Sequence, residues 1–157
     1  MAHINFGFVL THIIAVQYCV NGWTFFAKTR KCYKYSSTER TRTDAIKSCK
    51  ASTNNPTANL VSIRDMDTNI FVNSFSRGKF WIGAHKSSGI WTWPDGYRAI
   101  FTKWAKDQPS GDGGFAEVLD DAWLLQTKDN VGSWNDLNGG HKRASVCQYD
   151  PKGKFQI

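Results

Sequence analysis

The stretch FWIGAHKSSGIWTWPDGY, residues 80–97, carries the clearest structural signal in the chain. Phe80-Trp81-Ile82 is an apolar run closed by Gly83, which reads as a buried strand ended by glycine. Ile90-Trp91-Thr92-Trp93 alternates as a half-buried strand does, and Pro94-Asp95-Gly96 stops it with strong turn chemistry. Rings as large as tryptophan belong inside a domain. Trp81, Trp91 and Trp93, with Trp104 and Trp134 further on, are therefore expected in the core.

Upstream of this stretch the periodicity alternates between strand and helix. Asp65 to Phe75 reads as a helix capped by Asp65, with Met66, Ile70, Phe71 and Phe75 inward. Leu60, Val61 and Ile63 form a short apolar strand, preceded by a turn at Asn54-Asn55-Pro56. Thr43 to Ala51 is a second helix, with Ala45, Ile46 and Cys49 on one face and Thr43 or Asp44 as its cap. Trp23 to Phe26 and Cys32 to Tyr35 read as two aromatic-rich strands around a turn. Downstream, periodicity fades after Trp104, and Gln108-Pro109-Ser110-Gly111-Asp112-Gly113-Gly114 is loop chemistry. Two late strands are expected at Ala122 to Gln126 and Ala144 to Tyr149, with Ser133-Trp134-Asn135-Asp136 between them. Two early helices among many short strands imply an α+β domain with small antiparallel sheets and a long irregular binding loop.

The 157 residues suffice for one domain and not for two independent cores, and a hydrophobic share of 41% excludes a disordered chain. Phe6 to Val16 is an apolar run of signal-peptide length, too short to cross a bilayer, with small Ala15 as a cleavage point. The expected division is a signal peptide over 1–17, a domain over 18–150 and a tail over 151–157. The product should be secreted into the extracellular space, without membrane insertion. Cys19, Cys32, Cys49 and Cys147 are an even set suited to that compartment. They include no CxxC pair and no histidine at zinc-finger spacing, and their spacing leaves all three pairings open. After the apolar segment only His85 and His141 remain, with no nucleophile elbow and no triad, so the chain does not read as an enzyme.

Charge is unevenly placed along a chain of net charge +7. Lys28 to Lys50 is strongly basic, which for a secreted chain reads as a solvated face and not as a nucleic-acid surface. Asp107, Asp112, Glu117, Asp120, Asp121, Asp129 and Asp136 instead crowd the stretch from Lys106 to Asp136. Clustered carboxylates repel one another unless something positive sits among them.

Taken in order, Cys19-x3-Trp23, Cys32-Tyr33, the helix bearing Cys49, Asn59-Leu60-Val61-Ser62-Ile63, Trp81-Ile82-Gly83, Trp91-x-Trp93-x-Asp95-Gly96, Trp104, Gln108-Pro109, Trp134-Asn135-Asp136 and Val146-Cys147 resemble a C-type lectin domain of the long form. The resemblance runs from Cys19 to Tyr149. It implies Cys49–Cys147 and Cys19–Cys32 disulfides. It also implies a calcium-dependent lectin that binds glycans on cell or microbial surfaces. The alternative it leaves open is a calcium-independent domain of the same fold that binds protein or another ligand.

The resemblance implies a ligand set for one calcium ion: Gln108 and Ser110 around a cis Pro109, then Asp120 (with Asp121 and Glu117 in competition), then Asn135 and Asp136. Gln108, Ser110, Asn135 and Asp136 would also bind the sugar hydroxyls. Phe115 is the candidate to stack on the sugar ring, against a plain packing role, while Trp123 is assigned to the core. Gln-Pro with a glycine-rich insertion is similar to galactose- and N-acetylgalactosamine-binding members, more so than to mannose-binding ones. Ser110 stands where those members carry a better calcium ligand, so affinity is expected to be weak, about 10⁻⁴ to 10⁻³ M. A further family disulfide is missing, its positions falling at Ala122 and Gly139, which predicts a looser loop region. A lone domain of this kind gains avidity only through contacts between copies, so a homo-oligomer is the expected assembly.

Overall fold

The computed structural model describes residues 18–119 and 132–152. The segment 1–17, Asp120 and Asp121, Trp123, the strand expected at Ala122 to Gln126, and the tail beyond Lys152 lie outside the described residues. The first helix, α1 (Arg42–Ala51), starts one residue before the expected boundary because Thr41 is its cap. Thr41 Oγ1 accepts from the Asp44 N–H, and its hydroxyl donates back to the Asp44 carboxylate at 2.8 Å. The expected cap, Asp44, is thus the third helical residue answering the cap. Ala45 and Cys49 are fully buried beneath it, as the spacing requires.

The second helix, α2 (Met66–Phe75), is capped by Asp65 as expected, its carboxylate accepting from the Thr68 N–H at 2.7 Å. Its buried face differs from the sequence reading. Met66 and Ile70 are exposed, whereas Thr68, Asn69 and Val72 are buried and Phe71 and Phe75 pack on the core. The rotation has a polar cause: Asn69 Oδ1 accepts the indole N–H of Trp134 at 3.2 Å inside the protein. A buried indole needs an acceptor, and α2 turns to supply it.

Strands β1 (Thr24–Phe26), β2 (Lys31–Arg40), β3 (Asn59–Leu60), β4 (Phe80–Ser87), β5 (Ile90–Thr92), β6 (Phe115–Val118), β7 (Trp134–Leu137) and β8 (Arg143–Tyr149) form one sheet in the order β1-β2-β8-β4-β6-β7. β3 joins it on β8 and β5 on β4. The α+β class stands, but the sheet is mixed and not a set of small antiparallel ones: β4 and β8 run parallel, with Phe80 opposite Ala144. β4 also continues past Gly83, where the sequence reading ended it. A Cβ at Gly83 would lie 2.7 Å from the Pro94 ring and 2.9 Å from the Leu60 carbonyl oxygen. The glycine therefore admits a neighbour and does not break the strand.

Trp81, Trp93 and Trp134 are fully buried; Trp91 and Trp104 pack partly buried against the cluster of Trp93 and Trp134, and Trp81 lies in a second cluster with Cys49 and Cys147. Trp93 and Trp104 each meet Trp134 edge to face at 5.7 Å. Two disulfides close the frame, Cys19–Cys32 and Cys49–Cys147. The second ties α1 to β8 across 98 residues, a loop closure worth about 4–5 kcal/mol in the chain-entropy description.

Candidate ligand-binding site

β6 and β7 decide the site, and neither was legible as a strand. Their register places Phe115 opposite Leu137, Ala116 opposite Asp136, Glu117 opposite Asn135 and Val118 opposite Trp134. Ahead of β6, a cis Gln108–Pro109 bond turns the loop back onto β7. The Asp136 carboxylate, buried at 1% exposure, collects that turn. One oxygen accepts from the Ser110 N–H at 2.7 Å and the Ser110 hydroxyl at 3.1 Å, and the other from the Gly111 N–H at 2.9 Å. Gln108 Oε1 accepts from the same Ser110 N–H at 3.0 Å. Gln108, Ser110 and Asp136 are thereby assembled from two segments about 26 residues apart, while Asn135, next to Asp136 in β7, turns its amide to Glu117. Far from loose, the described part of the loop is fastened by charge-assisted hydrogen bonds.

Glu117 takes a different role from the calcium ligand it competes to be. It is 1% exposed in β6, accepts from Asn135 Nδ2 at 3.1 Å and pairs with the Arg143 guanidinium. That pairing offsets the cost of burying its charge. A lone acid in the apolar run Phe115-Ala116-Glu117-Val118-Leu119 was the available signal for it. Asp120 and Asp121 follow Leu119, whose N–H donates to the Ser133 carbonyl at 2.8 Å.

Phe115 lies half-buried in β6, with the Arg42 guanidinium 4.3 Å above its ring and Gly139 beside it. This is the packing role that the sequence set against sugar stacking. Of the two positions at which the family's further disulfide is missing, Ala122 lies outside the described residues, and at Gly139 the Phe115 ring fills the space, a Cβ there standing 2.9 Å from Phe115 Cε2. Gly113 is closed to any side chain as well, since a Cβ there would meet the Leu137 backbone at 1.8 Å.

Other proteins share this architecture. The family model of the Lectin C-type domain matches residues 38–149. The C-type lectin lectoxin-Lio3 of Erythrolamprus poecilogyrus is 31% identical over 153 residues, covering 93% of this chain and 90% of that one. The alpha-N-acetylgalactosamine-specific lectin of Patiria pectinifera is 29% identical over 135 residues, covering 80% of this chain and 77% of its own. Among solved structures, a calcium-independent type II antifreeze protein superposes with a TM-score of 0.68 at 23% identity, over 83% of this chain and 93% of its own. The fold therefore serves a sugar-binding lectin and a calcium-independent protein alike, and does not by itself settle calcium dependence. No described helix is long and apolar enough to cross a membrane. With its fold, its two disulfides and its Trp134-Asn135-Asp136 strand, the chain belongs to the C-type lectin domain family, whose members are binding domains and not enzymes.

Proposed function

We propose that this chain is a secreted glycan-binding lectin whose binding edge is Gln108, Ser110, Asn135 and Asp136, with galactose or N-acetylgalactosamine as the preferred sugar. The observation that carries this is the cis Gln108–Pro109 turn fastened onto Asp136 of β7. It gathers the Gln108 amide and Ser110 hydroxyl oxygens at the surface beside the buried Asp136 carboxylate, oxygen groups of the kind that adjacent sugar hydroxyls require. The likeness to an N-acetylgalactosamine-specific lectin supports the choice of sugar.

Calcium takes oxygen ligands from carboxylates, amides, hydroxyls and water. Gln108, Ser110, Asn135 and Asp136 offer hard oxygen ligands of the right type. Of these four residues only Asp136 adds a carboxylate; Glu117 is committed to Arg143, Gly113 cannot carry a side chain, and Asp107 and Asp112 stand exposed on the same loop. No described cluster of three or more acidic, histidine or cysteine side chains could hold a metal. The residues fit one weakly held ion, with Gln108, Ser110, Asn135 and Asp136 as its protein ligands. Bound there, calcium would fix these oxygens and share its shell with the sugar hydroxyls.

A second reading, calcium-independent binding, is favoured by a specific observation: both Asp136 oxygens already have protein donors. Passage of the chain over immobilised galactose and mannose, with calcium and then EDTA, separates the two. The lectin reading expects retention on galactose, release by EDTA, and loss of retention in Asn135→Ala/Asp136→Ala. Retention surviving EDTA would give the second reading. Retention on neither resin would reject sugar binding.

A further inference from the structure

A cleft of about 500 Å³, the size of a small-ligand site, takes no residue from β6, β7 or the Gln108 turn. The β1–β2 turn, the start of α2, the turn after β5 and the end of β8 wall it. Two hydroxyls of its lining have no partner. Ser62 Oγ and Thr68 Oγ1 are buried without a hydrogen bond, Ser62 at 6% exposure and Thr68 at 1%. The backbone beside them is satisfied: the Ser62 N–H donates to Gln148 Oε1 at 2.9 Å, and the Thr68 N–H to the Asp65 carboxylate at 2.7 Å. A buried hydroxyl left unpaired is costly, and two of them lining one cleft point to a ligand that completes them.

Charge around the cleft is balanced. Lys31 pairs with Asp150, Arg64 with Asp95, and Asp65 with Lys28, which also holds Asp67. A charged ligand would have to break one of these pairs. A neutral one leaves them whole and can still use the lone pairs that they leave open on the carboxylates. Such surface pairs are weak, so the rim side chains can move at little cost to admit it. Tyr97 adds an aromatic surface, 66% exposed, with the Arg64 guanidinium 4.8 Å from its ring centroid. A flat ring beside hydroxyls and carboxylates suits a molecule with an apolar face and a polar edge.

We propose that this cleft is a second saccharide site, taking an uncharged sugar whose ring packs on Tyr97 while its hydroxyls complete Ser62 and Thr68. Binding there needs no calcium, because each carboxylate of the cleft is already opposed by a lysine or an arginine. The proposal goes beyond the Gln108–Asp136 edge and does not rest on it. A single chain carrying both sites would join two glycans without forming an oligomer.

Amide NMR on the full chain, titrated in EDTA with galactose, glucose, mannose and N-acetylglucosamine, tests it. At least one sugar should shift the Ser62, Thr68 and Tyr97 amides saturably, in wild type and in Asp136→Ala alike. Tyr97→Ala, a change at an exposed position, should weaken that binding about tenfold. Ser62→Ala/Thr68→Val removes both unpaired hydroxyls and should weaken it several-fold. The thermal midpoint of this double variant should stay level or rise, since no internal bond is lost. A lowered midpoint would show that the hydroxyls bond within the protein, and would overturn the proposal. Shifts that vanish in Asp136→Ala, or that survive both cleft variants, would place the sugar elsewhere and overturn it too. So would the absence of saturable shifts with all four sugars, which would mark the cleft as holding water only. None of these outcomes bears on retention at the Gln108–Asp136 edge in calcium.

Discussion

The two ends of this domain are held by different forces. At one end α1, β2 and β8 are joined by the Cys49–Cys147 bridge and by the burial of Ala45, Leu60, Trp81 and Tyr149. At the other, β6, β7 and the Gln108 turn are joined by two buried carboxylates and their donors. Apolar burial and a covalent tie have no preferred partner chemistry, so the first end is a frame. Charged hydrogen bonds are directional and can be exchanged for a ligand's, so the second end can be a site. The comparison teaches that the binding half is preorganised by polar contacts and not by packing alone.

The largest test of this contrast lies in the frame. Replacing Cys49 and Cys147 together by alanine should cost about 4–5 kcal/mol, read as a lowered urea midpoint. Glycan retention by the molecules that remain folded should persist, because no residue of the binding edge touches that bridge. Next comes the polar half: Glu117→Ala strands Arg143 and Asn135 and should cost about 3 kcal/mol. It should also weaken glycan binding, since Asn135 loses the acceptor that orients it. A fall in stability without any effect on binding would place Asn135 outside the site.

The smallest test concerns the α2 cap. Asp65→Ala should lower stability by about 1 kcal/mol. Burial pushes the Asp65 carboxyl up, but its bonds to Thr68 and Lys28 outweigh that and hold it below its ordinary value. A carboxyl lowered in the folded state contributes stability above its unfolded value, and that contribution disappears as pH falls through the folded one. Wild type and Asp65→Ala should therefore differ at neutral pH, begin to converge as pH falls below about 4, and meet once it has passed the lowered folded-state value, read in thermal melts. A difference that persists at low pH would show that the cap acts through something other than its charge.

The elements legible in sequence were those with a local cause. Asp65 before α2, the Pro94-Asp95-Gly96 turn and the buried tryptophans follow from residue chemistry within a few positions. The Gln108-Pro109 and Asn135-Asp136 motifs mark two segments that the fold joins through the Ser110 and Gly111 bonds to Asp136. β6 was not legible, because its four residues carry an acid in mid-strand whose partner, Arg143, lies 26 residues away. Nor was the inward face of α2, which is set by the demand of Trp134 for an acceptor at Asn69, 65 residues distant.

By itself, then, the order of residues determined the family, the two helices and the tryptophan core. Only the tertiary structure decided how that edge is charged. The stretch from Lys106 to Asp136 is acidic along the chain, yet folding ties Asp136 to backbone donors and Glu117 to Arg143. It also lays the Arg42 guanidinium of α1 over the Phe115 ring of β6. The physical reason is one of range: backbone propensity and turn chemistry act over a few residues, whereas electrostatic fields depend on distance in space. Segments remote along the chain meet only once the sheet has formed.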